Sequence, residues 1–219
     1  MRLILVRHGV TDWNREGRWQ GRLDPPLSDT GRHEATLLAA RIAADADLGP
    51  ARILASTLSR ATATAEAIGE AVGVAVEPEP RLVEIGAGEW EGRTHAELEA
   101  TDGERYLLWR TTAGYGPPGG EPLTDAAARV ATLLSDLAAS GAWPVLLVSH
   151  GGILRYLARD LLDLDAERAE ALDIDNASIS SAYHDGDLWR LERWNDTLHL
   201  LGRERTHVDE GAEGRPLAL

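Results

Sequence analysis

Leu3-Ile4-Leu5-Val6-Arg7-His8-Gly9 is the stretch that decides how this chain is read. An unbroken aliphatic run leaves no polar face, so it predicts a strand buried on both sides, as in a parallel sheet. It then ends in a cation, an imidazole and a residue without a side chain. Taken alone, that ending has two readings: the strand simply meets water there, or it delivers a site to its carboxyl end. Val145-Leu146-Leu147-Val148-Ser149-His150-Gly151-Gly152 repeats the plan far along the chain. In open α/β sheets ligands bind outside the carboxyl ends of the strands, so two strand-end histidines can converge on one ligand. The glycine pair after the second opens a helix whose first N–H groups suit an anion. With two such endings the site reading leads.

Outward from these runs, short aliphatic strands alternate with helical patterns. Helices are expected at 30–44, capped by Ser28-Asp29, at 59–72, from the Thr94-His95-Ala96-Glu97 capping box, at about 124–139 and from Gly152. Strands are expected at 51–55 and 145–148. Two more, near 179–183 and 188–193, are joined by a hairpin turn at Asp185-Gly186. Residues 115–122, rich in Gly and Pro, read as loop. The pattern predicts an α/β fold: a single three-layer domain with a mainly parallel central sheet, helices on both faces and an antiparallel strand near the C-terminus. The catalytic domain is expected to span 1–202, and 203–219, charged and without periodicity, to form a flexible tail.

Composition narrows the chemistry. The chain has 219 residues, 43% hydrophobic and 26% charged, as in an ordinary soluble globule. Its net charge of −14 argues against nucleic acid or an anionic membrane as a bulk electrostatic partner. No apolar run is long enough to span a bilayer or form a signal peptide, and a cytoplasmic location is expected. All 22 basic residues are Arg. Without Lys there is no Schiff base and no Walker A lysine. Without Cys there is no thiolate, disulfide or Cys-ligated metal. Arg60 starts the helix at 59–72, where the positive helix end repels a cation unless an anion lies between them.

Leu5-Val6-Arg7-His8-Gly9-Val10-Thr11-Asp12-Trp13-Asn14, followed by Gly17-Arg18-Trp19-Gln20-Gly21, Asp24, Pro26-Leu27-Ser28 and Gly31, resembles the signature of the histidine phosphatase superfamily, the phosphoglycerate-mutase-like enzymes. The resemblance continues through residues 56–65, Glu84-Ile85-Gly86-Ala87-Gly88-Glu89-Trp90-Glu91-Gly92, residues 149–152 and Asn195-Asp196-Thr197-Leu198-His199-Leu200. It implies a metal-independent phosphomonoester hydrolase with no cofactor, acting through a phosphohistidine on a small phosphorylated metabolite, a sugar phosphate or phosphoglycerate-like compound. His8 would be the nucleophile, its other ring nitrogen held as a donor by a backbone carbonyl. Arg7, Arg60 and His150 would bind the phosphoryl oxygens, joined by Asn14, Gln20 and Gly151. Glu84 would protonate the leaving alkoxide and then activate water, in preference to Glu89 or Glu91. Gly9 would let the backbone turn away without crowding the substrate. The implied partner is the small phosphorylated substrate alone, with neither nucleic acid nor membrane, and a homodimer stays open.

Other readings stand beside this one. A bisphosphoglycerate-dependent phosphoglycerate mutase shares the chemistry, but such mutases of the family carry extra basic residues, Lys included, and an insertion after the Glu block. This chain has no Lys, and 115–122 is short. A serine hydrolase built on Ser149, Asp196 and His199 fails at the elbow, where Leu147 stands in the glycine position of G-x-S-x-G. A non-catalytic phosphate-binding protein on the same fold is the remaining alternative. Arg15, Arg18, Arg22, Arg93 and Arg110 are candidates to face the cleft or the solvent, and Trp90 is expected to pack.

Overall fold

The run at 3–6 is buried on both faces because its strand is central. In the computed structural model, residues 1–112 and 115–201 are described, apart from the side chains of Arg110, Ala166 and Glu170. The tail expected at 203–219 lies outside the described residues. In chain order the strands and α-helices are β1 (Arg2–Arg7), α1 (Asp12–Arg15), α2 (Asp29–Ala44), β2 (Arg52–Ala55), α3 (Ser59–Val72), β3 (Val76–Pro78), α4 (His95–Thr101), α5 (Gly103–Thr111), α6 (Leu123–Ser140), β4 (Val145–Ser149), α7 (Gly151–Leu162), α8 (Ala166–Glu170), β5 (Ile179–His184) and β6 (Trp189–Asp196). They form a six-stranded sheet in the order β3-β2-β4-β1-β5-β6. The first four strands in that order are parallel, and β5 and β6 form the antiparallel end as a hairpin.

Alternate side chains of each central strand enter opposite layers, as the period of a strand requires. Ile4, Val6, Ile53, Leu146 and Val148 pack with Leu38 and Ile42 of α2 and Ile68 of α3. Leu3, Leu5, Leu54, Val145 and Leu147 pack on the other side with Leu133 and Leu137 of α6 and Leu154 and Leu157 of α7. These two aliphatic clusters are the three-layer core. A smaller aromatic cluster holds Trp90, Leu98 and Tyr106, with Trp19 and Trp109 against it.

Local signals act as expected. Ser28 Oγ accepts from Gly31 N at 3.0 Å and caps α2. The Thr94 box closes with both of its bonds, Glu97 N to Thr94 Oγ1 at 3.1 Å and Thr94 N to Glu97 Oε2 at 2.8 Å. At the hairpin, Asp185 Oδ1 accepts from Asp187 and Leu188 N, and Gly186 takes φ 110°. Periodicity did not announce β3, a three-residue edge strand ending in Pro78, nor the short helices α1 and α8. Glu77 of β3 is bound twice by Arg52 of β2, at 2.9 and 2.7 Å. Among the described residues no helix is long and apolar enough to cross a membrane.

Candidate active site

Register builds the site. Leu3 pairs with Val145 and Arg7 with Ser149, so the next residues, His8 and His150, emerge together at the carboxyl ends of β1 and β4. Their rings lie 5.0 Å apart, tilted by 58°. His8 is nearly inaccessible, and its Nδ1 donates to Gly9 O at 2.7 Å. A carbonyl can only accept, so the proton sits on Nδ1 and Nε2 keeps its lone pair. This is the backbone carbonyl the sequence called for. Burial, then the charges of Arg60 and Arg7, push the His8 pKa well below its ordinary 6.5, against a smaller opposing effect of the Gly9 bond. The imidazole is therefore neutral, as a nucleophile must be.

The backbone around His8 is tied at each step. His8 O accepts from Ala177 N at 3.1 Å and Asn176 Nδ2 at 3.0 Å. Gly9 N donates to Thr64 Oγ1 at 3.1 Å, and Val10 N to Glu34 Oε2 at 2.8 Å. Gly9 has a reason beyond the expected one. A Cβ built on it would stand 2.5 Å from Gly31 O, so its hydrogen lets α2 approach the strand end.

Both phosphate-binding candidates among the arginines are buried. Arg7 Nη1 donates to Ile174 O at 2.6 Å. Arg60, in the first turn of α3, donates to Leu23 O at 2.8 Å and Gly21 O at 3.0 Å. Asp24 Oδ1 lies 3.7 Å from Arg60 Nη1 and also accepts from Ser59 N and Oγ at 2.8 and 2.9 Å. The carboxylate thus caps α3, whose Leu58 gives no side-chain cap, and offsets the cation at its positive end. Two carbonyls aim the guanidinium as a rigid fork.

His150 is fully buried at the N-cap of α7, and Gly151 opens that helix. Burial first, then Arg60, His8, Arg7 and Arg129, lower the His150 pKa well below 6.5. Glu84 docks on the same helix end: its Oε2 accepts from Gly152 N at 3.1 Å and its Oε1 from Ile85 N at 2.8 Å. Its two rivals are committed elsewhere. Glu89 pairs with Arg105 at 3.0 Å, and Glu91 Oε1 accepts from Arg22 and Ala87 N.

Asn14 and Gln20 are buried beside this centre, grouped on Thr11. Asn14 Oδ1 accepts from Thr11 N at 3.0 Å and Asn176 Nδ2 at 3.4 Å, and Gln20 Oε1 lies 3.2 Å from Thr11 Oγ1. Among the arginines left open, Arg15 pairs with Asp12 and Arg18 with Glu16 and Glu97, while Arg93 binds Thr101. Arg22 lies against Gly86 and pairs with Glu121 at 2.9 Å, and the side chain of Arg110 is outside the described residues. Trp90 packs, its Nε1 donating to Asp102 at 2.8 Å. Sequence reasoning assigned no role to Ser56, Thr64, Asn176 or Asp24. Ser56 and Thr64 lie in the block carrying Arg60, and Asp24 in the opening signature, but their partners are tertiary.

Comparison with known proteins gives the same picture. The model of the histidine phosphatase superfamily (branch 1) matches residues 3–197. Glucosyl-3-phosphoglycerate phosphatase of Mycobacterium tuberculosis is 39% identical, the match covering 91% of this chain and 96% of that protein. A Yersinia pestis protein named probable phosphoglycerate mutase is 34% identical over 91% of this chain and 95% of its own length. The solved mycobacterial glucosyl-3-phosphoglycerate phosphatase in complex with VO3 is 39% identical and aligns with a TM-score of 0.82, covering 90% of this chain and 99% of that one. The alpha-ribazole phosphatase of Shigella flexneri, 29% identical, gives 0.80 over 90% and 96%. With its strand-end histidines, its buried arginines and a match over nearly its whole described length, the chain belongs to the histidine phosphatase superfamily, branch 1, as a phosphoric monoester hydrolase.

Proposed function

We propose that the protein hydrolyses a small phosphorylated metabolite, a sugar phosphate or phosphoglycerate-like ester, through a phosphohistidine at His8 and without a metal ion. The observation that carries this is the Nδ1–H bond from His8 to Gly9 O, which leaves Nε2 with its lone pair in a pocket charged by Arg7 and Arg60. Nε2 attacks phosphorus, and the bond to the alcohol oxygen breaks. Glu84, at the mouth of α7, gives that oxygen a proton. Arg7, Arg60, His150 and the N-terminus of α7 at Gly151 neutralise the equatorial oxygens, which is most of what phosphoryl transfer asks of a protein. Asn14 and Gln20 complete the binding set. Glu84, now a carboxylate, takes a proton from water as the water attacks phosphohistidine, releasing phosphate and restoring His8.

The named substrate of the mycobacterial relative, a phosphorylated and glycosylated glycerate, fits this class and heads the substrate panel. Metabolites of this kind are made and consumed in the cytoplasm, where we place the protein. Mutase activity stays in the panel through the Yersinia relative, although the chain lacks Lys.

Phosphate release from an aryl phosphate, with a chelator present, tests the proposal. Wild type should turn over and His8→Ala should fall to background. 3-Phosphoglycerate supplied with its bisphosphate should yield phosphate and no 2-phosphoglycerate. Equal turnover in wild type and His8→Ala would overturn the assignment of His8.

A further inference from the structure

We propose that Ser56 is a positioning residue: its hydroxyl donates to His150 Nε2 and thereby holds His150 in the tautomer that presents Nδ1–H to the phosphoryl group. This rests on the phosphoryl-transfer reading given above for the same site. Ser56 follows the last residue of β2, where Ala55 pairs with Val148, so it stands beside the end of β4. Ser56 and His150 both have 0% of their surface exposed, and Oγ and Nε2 are 2.7 Å apart.

Donor accounting decides the direction of that bond. A serine hydroxyl has one proton and two lone pairs. Leu58 N donates to Ser56 Oγ at 3.3 Å and uses one lone pair. If His150 Nε2 were the donor, it would use the other. The Ser56 proton would then have no acceptor among the described residues, in a place water does not reach, at a cost of about 1–3 kcal/mol. His150 Nδ1 would also turn a bare lone pair toward phosphoryl oxygens. If Ser56 donates, each of its atoms is used and Nδ1 carries the proton. That Nδ1 is buried and has no protein partner among the described residues. With His8 5.0 Å away ring to ring, a phosphoryl group on or near His8 Nε2 would supply the acceptor it lacks.

Charge leaves the choice to the tautomer. His150 is surrounded by Arg7 of β1 and His8 just after it, Arg60 from α3 and Arg129 from α6, with Glu84 bound to Gly152 on its own helix. Burial, and after it cations on three elements, keep the imidazole neutral, so a fixed N–H must do the work of a positive charge. Partners that orient a metal-bound histidine are worth about 10–100-fold, and the same magnitude is expected for this phosphoryl-binding one.

The test uses histidine labelled with ¹⁵N and ring proton correlations, read on the resting enzyme, together with steady-state kinetics of Ser56→Ala and Ser56→Thr. In wild type, His150 should show a protonated Nδ1 and an unprotonated Nε2. Ser56→Ala should mix the tautomers and lower kcat about 10–100-fold with a smaller change in KM, while melting near the wild-type temperature. Ser56→Thr, which keeps the hydroxyl, should restore both tautomer and rate to within a few fold. A wild-type His150 protonated on Nε2, or a Ser56→Ala variant with wild-type kcat, would overturn the inference. His8→Ala separates the two ideas. It should keep the His150 tautomer while losing turnover, and if turnover persisted the nucleophile assignment would fall while the tautomer result stood on its own.

Discussion

Arg60 shows how the site is legible residue by residue. From sequence it is a cation at the wrong end of a helix. The structure gives it two carbonyls to aim its fork, Gly21 O and Leu23 O, and Asp24 to balance it. Lysine would keep the charge but not both bonds with a phosphoryl contact besides. Hydrogen bonds to charged groups are worth about 1.5–3 kcal/mol, so Arg60→Lys should lower kcat/KM and weaken phosphate inhibition, each by about 10–100-fold. Unchanged inhibition constants would show that Arg60 does not reach the phosphoryl oxygens. Residue types reveal such a cation and the histidines because their chemistry is unusual where they stand. They do not reveal Asn176, whose Nδ2 binds His8 O from 168 positions away. An asparagine in a loop has no local signature, and its role exists only once β5 is laid beside β1.

At the scale of elements, the parallel pair β1–β4 was the clearest message of the sequence, since two aliphatic runs ending in His-Gly require a shared register to mean anything. The glycines were harder. Their spacing says that a Cβ is unwelcome but not which neighbour objects. Gly9 makes room for Gly31, whereas Gly152 makes room for Glu84: a Cβ there would stand 2.6 Å from Oε1 and 3.0 Å from Ile85 Cδ1. Those are ends of side chains and can move. Gly152→Ala should therefore displace the carboxyl and lower kcat by tenfold or more, given that a positioned general acid contributes about 10²–10⁴-fold. Its melting temperature should stay within a few degrees of wild type. Loss of stability with unchanged kcat would mean that α7, not Glu84, had yielded. β3 was missed for want of length, and Glu84 was set apart from Glu89 and Glu91 by the family-like block, while its contact with α7 exists only in the fold.

Across the whole molecule, the buried histidines couple the site to stability. His8 and His150 are held neutral by burial and by Arg60 and Arg7, with pKa values well below 6.5. As pH falls below 6.5 the unfolded chain binds protons that the folded one refuses, so stability must fall. The slope approaches about 1.4 kcal/mol per pH unit for each such histidine. Carboxylates held low, such as Glu79 through its hydrogen bonds to Arg81, are lost only at lower pH and leave the range from about 5.5 to 6.5 to the histidines. Urea midpoints should drop across that range in wild type and drop less in His8→Ala; a flat wild-type profile would contradict neutral burial. The three-layer fold was readable because aliphatic strands alternate with amphipathic helices over the whole described length, while the pairings that finish the site appear only when distant segments meet. Turnover by this route places the phosphoryl group on His8 before water removes it. Mixing the enzyme with an aryl phosphate, quenching in alkali within milliseconds and mapping the modified peptide by mass spectrometry tests this directly. A phosphoryl group on the peptide carrying His8, absent in His8→Ala, is the predicted result, and a phosphoryl group on any other residue would contradict it.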